Sequence, residues 1–143
     1  MLRDRFFITL LFVLCAVTVL HLLGITFFFY WRFAWLDIVA HLAGGFWAGG
    51  MALWILDRFG FEQTRPAVSL LLAVFVGFII GAWWEIFEVM IGASLVELEE
   101  YVPDTIADFL FDMSGAFFAG LYFLKIRSDK FAIIKSKNTK KTF

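Results

Sequence analysis

Lysine and arginine are missing from four long apolar stretches that make up most of these 143 residues, and cysteine and proline are nearly missing from the whole chain. Cys15 is the single thiol, which excludes an internal disulfide, and its place within an apolar run says little about redox compartment. Phe12, Val13 and Leu14 before it are too bulky for a lipoprotein cleavage site, and the first apolar run ends without a small-residue cleavage motif. That run therefore reads as a retained membrane helix. The two prolines, Pro66 and Pro103, each stand just before an apolar run. There is no internal repeat and no soluble domain. The one biased segment is the Lys-rich C-terminal tail.

Apolar side chains are what the chain has in excess. Hydrophobic residues make up 62% and aromatics 20%, more than a soluble domain of this size could hide, so lipid is the expected solvent. Runs at about 6–29, 33–56, 67–91 and 105–124 are each long enough to span ~30 Å of hydrocarbon at ~1.5 Å per residue. Tyr30-Trp31-Arg32 separates the first two, which predicts a tight hairpin, and a polar loop from Asp57 to Pro66 precedes the third. The expected fold is an all-α membrane protein: a four-helix transmembrane bundle over residues 1–124, followed by a basic cytoplasmic tail over 125–143.

Orientation follows from the cations. Arg3, Arg5, Arg58, Arg65 and the tail, which holds seven of the twelve cations, fall on one side; Arg32 stands on the other with Glu97, Glu99 and Glu100. The positive-inside rule then puts both termini in the cytoplasm. A topogenic and solubilising role for the tail is favoured over binding to anionic lipid. Nucleic acid is not an expected partner.

Within this frame the ionisable residues fall in one layer. With span two entering from outside, Asp37 and His41 lie about 6 and 12 Å below its outer end. Glu88 and Glu85 on span three fall at about 5 and 9 Å, Asp108 and Asp112 on span four at about 5 and 11 Å, and His21 on span one at about 13 Å. Each set is spaced by three or four residues and so shares one helix face. Small residues occupy the same faces: Gly44 and Ala48, Gly77 and Gly81, Gly115 and Ala119. Such spacing permits close backbone approach between membrane helices. The sequence predicts that these faces meet.

Charged side chains inside a bilayer cost at least ~2.5–3.5 kcal/mol and mark functional sites. Five carboxylates with an imidazole could not all stay ionised unaided in a low-dielectric pocket. A divalent cation held by Asp37, His41, Glu85, Glu88, Asp108 and Asp112 would resolve this, with Glu85 and His41 as the candidate catalytic pair. Carboxylates with His suit Zn, Mn or Fe, and an all-oxygen subset suits Mg or Ca. A polar network that only fixes helix packing, or a proton pathway, competes with this reading. Single residues carry less. Asp104 and Thr105 follow Pro103 where helix caps are common, and Thr105 with Asp108 resembles a capping box. His21 has only Thr18 and Gly24 nearby, which favours a structural role. Tyr30, Trp31, Trp35, Trp83 and Tyr101 read as an aromatic belt. The segment from Gly92 to Pro103, with Ser94 and Glu97, is expected to form a short amphipathic helix over the site.

The order Asp37-x-x-x-His41, Trp84-Glu85-x-x-Glu88 and Asp104-Thr105-x-x-Asp108-x-x-x-Asp112-x-x-Gly115 resembles the YjdF-like bacterial inner-membrane proteins. It is similar, more distantly, to the VanZ-like membrane proteins linked to glycopeptide resistance. Those usually carry Glu-x-x-Gln and an Asn before the last Gly, where this chain has Glu88 and Asp112, so the YjdF-like group fits better. The resemblance covers roughly residues 33–120 and implies a multi-pass protein of the bacterial cytoplasmic (inner) membrane. It supplies no reaction. From the residues, the expected function is a metal-dependent hydrolase or transferase using Zn, Mn or Mg on a lipid-linked phosphate, with membrane lipid as partner. Against it, no Lys or Arg stands by to hold a phosphate, and Ser94 and Ser114 lack a nucleophile motif. The alternatives are a divalent-cation or proton-coupled transporter, or an accessory protein with a structural polar network. A transporter would need ionisable groups in the inner half as well, and the spans have none there.

Overall fold

The structure, a computed structural model, describes residues 2–61, 65–91 and 98–139, all of whose regular elements are helices. They are α1 (Leu2–Thr26), α2 (Phe29–Arg32), α3 (Trp35–Arg58), α4 (Pro66–Ile91) and α5 (Leu98–Thr139). Four segments are long and apolar enough to cross a membrane: Arg5–Thr26, Trp35–Arg58, Pro66–Met90 and Val102–Asp129. Large apolar side chains cover the outside, among them Phe12 at 72% exposure and Leu71 at 71%, a surface that only a hydrocarbon solvent would tolerate.

Two boundaries differ from expectation. The first helix ends at Thr26 rather than near Phe29, because Phe28 takes a left-handed conformation (φ 57°) and starts the one-turn helix α2. The reversal lays the Tyr30 ring on Gly24, where a Cβ would collide with it, so both the glycine and the bend serve one contact. The last helix begins at Leu98 and carries Pro103 inside it, so Asp104 and Thr105 do not cap a helix start. Inside a helix a proline forfeits one backbone hydrogen bond and crowds the carbonyl one turn earlier, so α5 continues through Pro103 against local propensity. At the other end α5 continues to Thr139, through most of the segment expected as a separate tail. Residues 92–97, with Ser94 and Glu97, lie outside the described residues.

Helices α3, α4 and α5 all pack against one another, whereas α1 rests on α3, touches α5 and makes no backbone contact with α4 among the described residues. Small residues set the spacing. A Cβ on Gly45 would strike the backbone of Asp112, and one on Gly115 the carbonyl of Leu42, so α3 and α5 cross backbone to backbone there. Gly49 and Gly77 meet Ala116 in the next layer. Toward the end of the bundle that holds the start of α1, the apolar core is Phe6, Leu10, Leu53, Ala73 and Phe123. Toward the end where α3 begins, the interior turns polar.

Candidate metal centre

The polar interior grows from the α3–α5 crossing. Asp112 sits at that contact, and Gly81 of α4 closes on its carboxylate from the third side. The acid is 4% exposed, so its oxygens must find partners inside the bundle. One is the His41 ring: Nδ1 lies 3.1 Å from Asp112 Oδ2. Since a carboxylate only accepts, the ring nitrogen donates, and a neutral imidazole then presents the lone pair of Nε2 on its far side.

Nε2 faces acids from three helices. Nε2 is 3.8 Å from Asp37 Oδ1 on α3, 4.0 Å from Glu85 Oε1 on α4 and 3.7 Å from Asp108 Oδ1 on α5. These separations are too long for hydrogen bonds. Glu85 is fixed through its other oxygen, Oε2, which accepts from Thr105 Oγ1 at 3.0 Å. Its Oε1 is buried with no hydrogen-bond partner. Asp37, His41 and Asp108 each offer one ligand atom within 4.8 Å of the others and form a group disposed to hold a metal ion. Ligand atoms sharing one ion at ~2.0–2.2 Å stand roughly 3–4 Å apart, close to the spacing observed.

Of the six expected ligands, Asp37, His41, Glu85 and Asp108 meet around Nε2, whereas Asp112 holds the opposite nitrogen. Glu88 lies a turn away; its Oε1 accepts from Trp84 Nε1 at 2.9 Å, and it lines a neighbouring cavity. Asp104 is exposed. His21 has more company than expected: its Nδ1 is 3.0 Å from the Tyr30 hydroxyl and its ring meets Trp84 edge-on at 5.0 Å. Tyr30 is therefore more than a belt residue, and partial burial pushes its phenol up to about 12. Thr105 and Tyr30 are supporting residues that the sequence reading gave other roles, and Trp84 is one to which it gave none. Thr105 stands three residues before Asp108 and so shares its helix face, a signal that was there to be used.

Four bilayer-length helices around a buried His/Asp cluster point to a multi-pass membrane protein. Residues 3–129 match the model of the family described as Predicted membrane protein (DUF2238), and the chain belongs to that family. No curated protein and no solved structure matches it.

Proposed function

We propose that this protein is a metal-dependent membrane enzyme, a hydrolase or transferase, whose cation is held by Asp37, His41 and Asp108 with Glu85 beside them. One observation carries the reading: three carboxylate oxygens from three helices converge within 4.0 Å of His41 Nε2, and one of those oxygens is buried and unpartnered. Such a convergence of acidic groups calls for a bound cation or shared protons, and neither Lys nor Arg occurs within 33–57, 66–91 or 98–124. The Asp112–His41 contact supports the same reading, since metal-bound histidines usually donate their second nitrogen to a carboxylate that fixes the tautomer.

A cation there supplies Lewis acidity to a phosphoryl or carbonyl oxygen. Glu85 is the residue suited to accept a proton, because Thr105 fixes one oxygen and leaves the other facing His41. Lipid-linked phosphate remains the favoured substrate: a bound cation would replace the Lys or Arg that the site lacks. The YjdF-like grouping and an inner-membrane location in bacteria belong to this proposal.

Metal analysis of protein purified without chelator tests it. Wild type is expected to carry stoichiometric Zn, Mn or Mg, or to melt higher on its addition, while Glu85→Gln and Asp108→Asn fold but lose both effects. Metal-free wild type whose melting temperature none of the three ions moves overturns the reading in favour of a packing network.

A further inference from the structure

The bundle is open between α1 and α4. These two helices share no backbone contact among the described residues, and a cavity of about 350 Å³ occupies the space between them, with α3 as its floor. Its lining is graded along the helix axes. Near the start of α3 it is polar, with His21, Tyr30, Asp37 and Glu88; toward the other end it is mostly apolar, with Leu14, Val17, Ile80 and the Trp47 ring, whose Nε1 is the one buried polar atom there without a hydrogen-bond partner among the described residues. From Asp37 to Trp47 the gradient runs for about 15 Å at ~1.5 Å per residue. Leu22 and Ile80 line the cavity and are also exposed on the flanks of their helices, so the cleft opens sideways, toward the lipid.

We propose that this cleft binds one hydrocarbon chain of a membrane phospholipid, with the head at the acidic end beside Asp37 and His41. A water-soluble ligand would leave polar groups unpaired against Leu14, Val17 and Ile80, which is costly. A wholly apolar ligand would leave the acidic end unmatched. A chain with a polar head satisfies both ends in one orientation only. The volume is at the lower end of small-ligand pockets and, at ~30 Å³ per water-sized group, holds on the order of a dozen such groups, a single chain rather than two. Access is lateral, from the bilayer. The placement of the head rests on the metal-site reading; the binding of the chain rests on the cleft alone.

The test uses the full chain in vesicles of phosphatidylethanolamine and phosphatidylglycerol containing a trace of a phospholipid with a mid-chain diazirine. After photolysis, label is expected to concentrate at Leu14 to Leu22 and around Ile80, several-fold above that at Leu71 and Phe75 on the outer face of α4. Excess unlabelled single-chain lysophospholipid should displace the cleft label and spare the outer-face label, a readout that needs no variant. Val17→Phe and Ile80→Phe, confirmed folded by melting temperature, should each lower cleft labelling several-fold, whereas Leu71→Phe on the outer face of α4 should not. Equal labelling of cleft and outer face, or cleft label that neither competitor nor filling variants reduce, overturns the proposal. Metal content measured on the same samples separates the two readings. Bound metal without cleft label sinks only the lipid cleft, and cleft label without metal sinks only the metal centre.

Discussion

The two nitrogens of His41 meet different surroundings, and the chemistry of the centre follows from that division. Nδ1 has one acid at 3.1 Å, and Nε2 has three at 3.7–4.0 Å. Asp112→Asn keeps the shape but can turn an amide N–H toward Nδ1 and favour the other tautomer. Its metal affinity, read by competition titration, is expected to fall ~10–100-fold, the range for partners that orient a ligand, with the fold retained. Thr105→Val should weaken metal binding in the same direction by freeing Glu85, and Thr105→Ser should restore it. At His21 the relevant partner is Tyr30, whose neutral form is favoured by burial. The phenol titrates near 10 when unfolded and at about 12 when folded. Stability from this group is present below pH 10 and is lost as the pH rises from there toward 12, because only the unfolded state ionises in that window. Tyr30→Phe should flatten the stability profile over that interval in alkaline melts.

At the scale of the helices, glycine contacts decide how close the acids come. Gly45 and Gly115 face backbone across the α3–α5 crossing, and a methyl group there has no flexible neighbour to displace. Gly45→Ala and Gly115→Ala should each cost ~1–3 kcal/mol by forcing the helices apart, and should loosen the His41–Asp112 contact. Gly44 is the control: its added Cβ would lie 3.8 Å from Asp112 Oδ1, an ordinary contact, so Gly44→Ala should change stability little. Unfolding in mixed detergent with a series of the three variants checks the ranking. This arrangement was only partly legible in the chain. The small residues at four-residue spacing marked the packing faces of α4 and α5, but on α3 the close crossings fall at Gly45 and Gly49 rather than at the expected Gly44, because spacing alone does not say which glycine meets which backbone.

For the whole molecule, the distribution of cations predicts that both termini lie in the cytoplasm and that the acidic layer is on the outer side. Reporter fusions after Arg65 and after Phe143 should read cytoplasmic, and a fusion near Glu99 external. An external C-terminus would reverse the depth assignments while leaving the internal geometry intact. The cleft between α1 and α4 belongs to this scale too. It exists because α1 packs on one side of α3 while α4 packs on the other two helices.

The four apolar runs, their approximate limits and the gathering of Asp37, His41, Glu85, Asp108 and Asp112 follow from the chain alone, since apolar length and helical periodicity are local properties and a lipid solvent penalises any ionisable group that does not face inward. Helix ends were read less well, because a left-handed Phe28 and an internal Pro103 are outcomes of packing that local propensity disfavours. The division of labour within the acid set, with Asp112 on one nitrogen and three acids on the other, was decided by the crossing of α3 with α5. So were the hydrogen bond from Thr105 to Glu85 and the gap beside α1. Each depends on the rotation of one helix against another by a fraction of a turn, and that rotation is set by contacts between residues far apart in the chain, such as His41 and Asp112 at 71 positions, which no local pattern encodes.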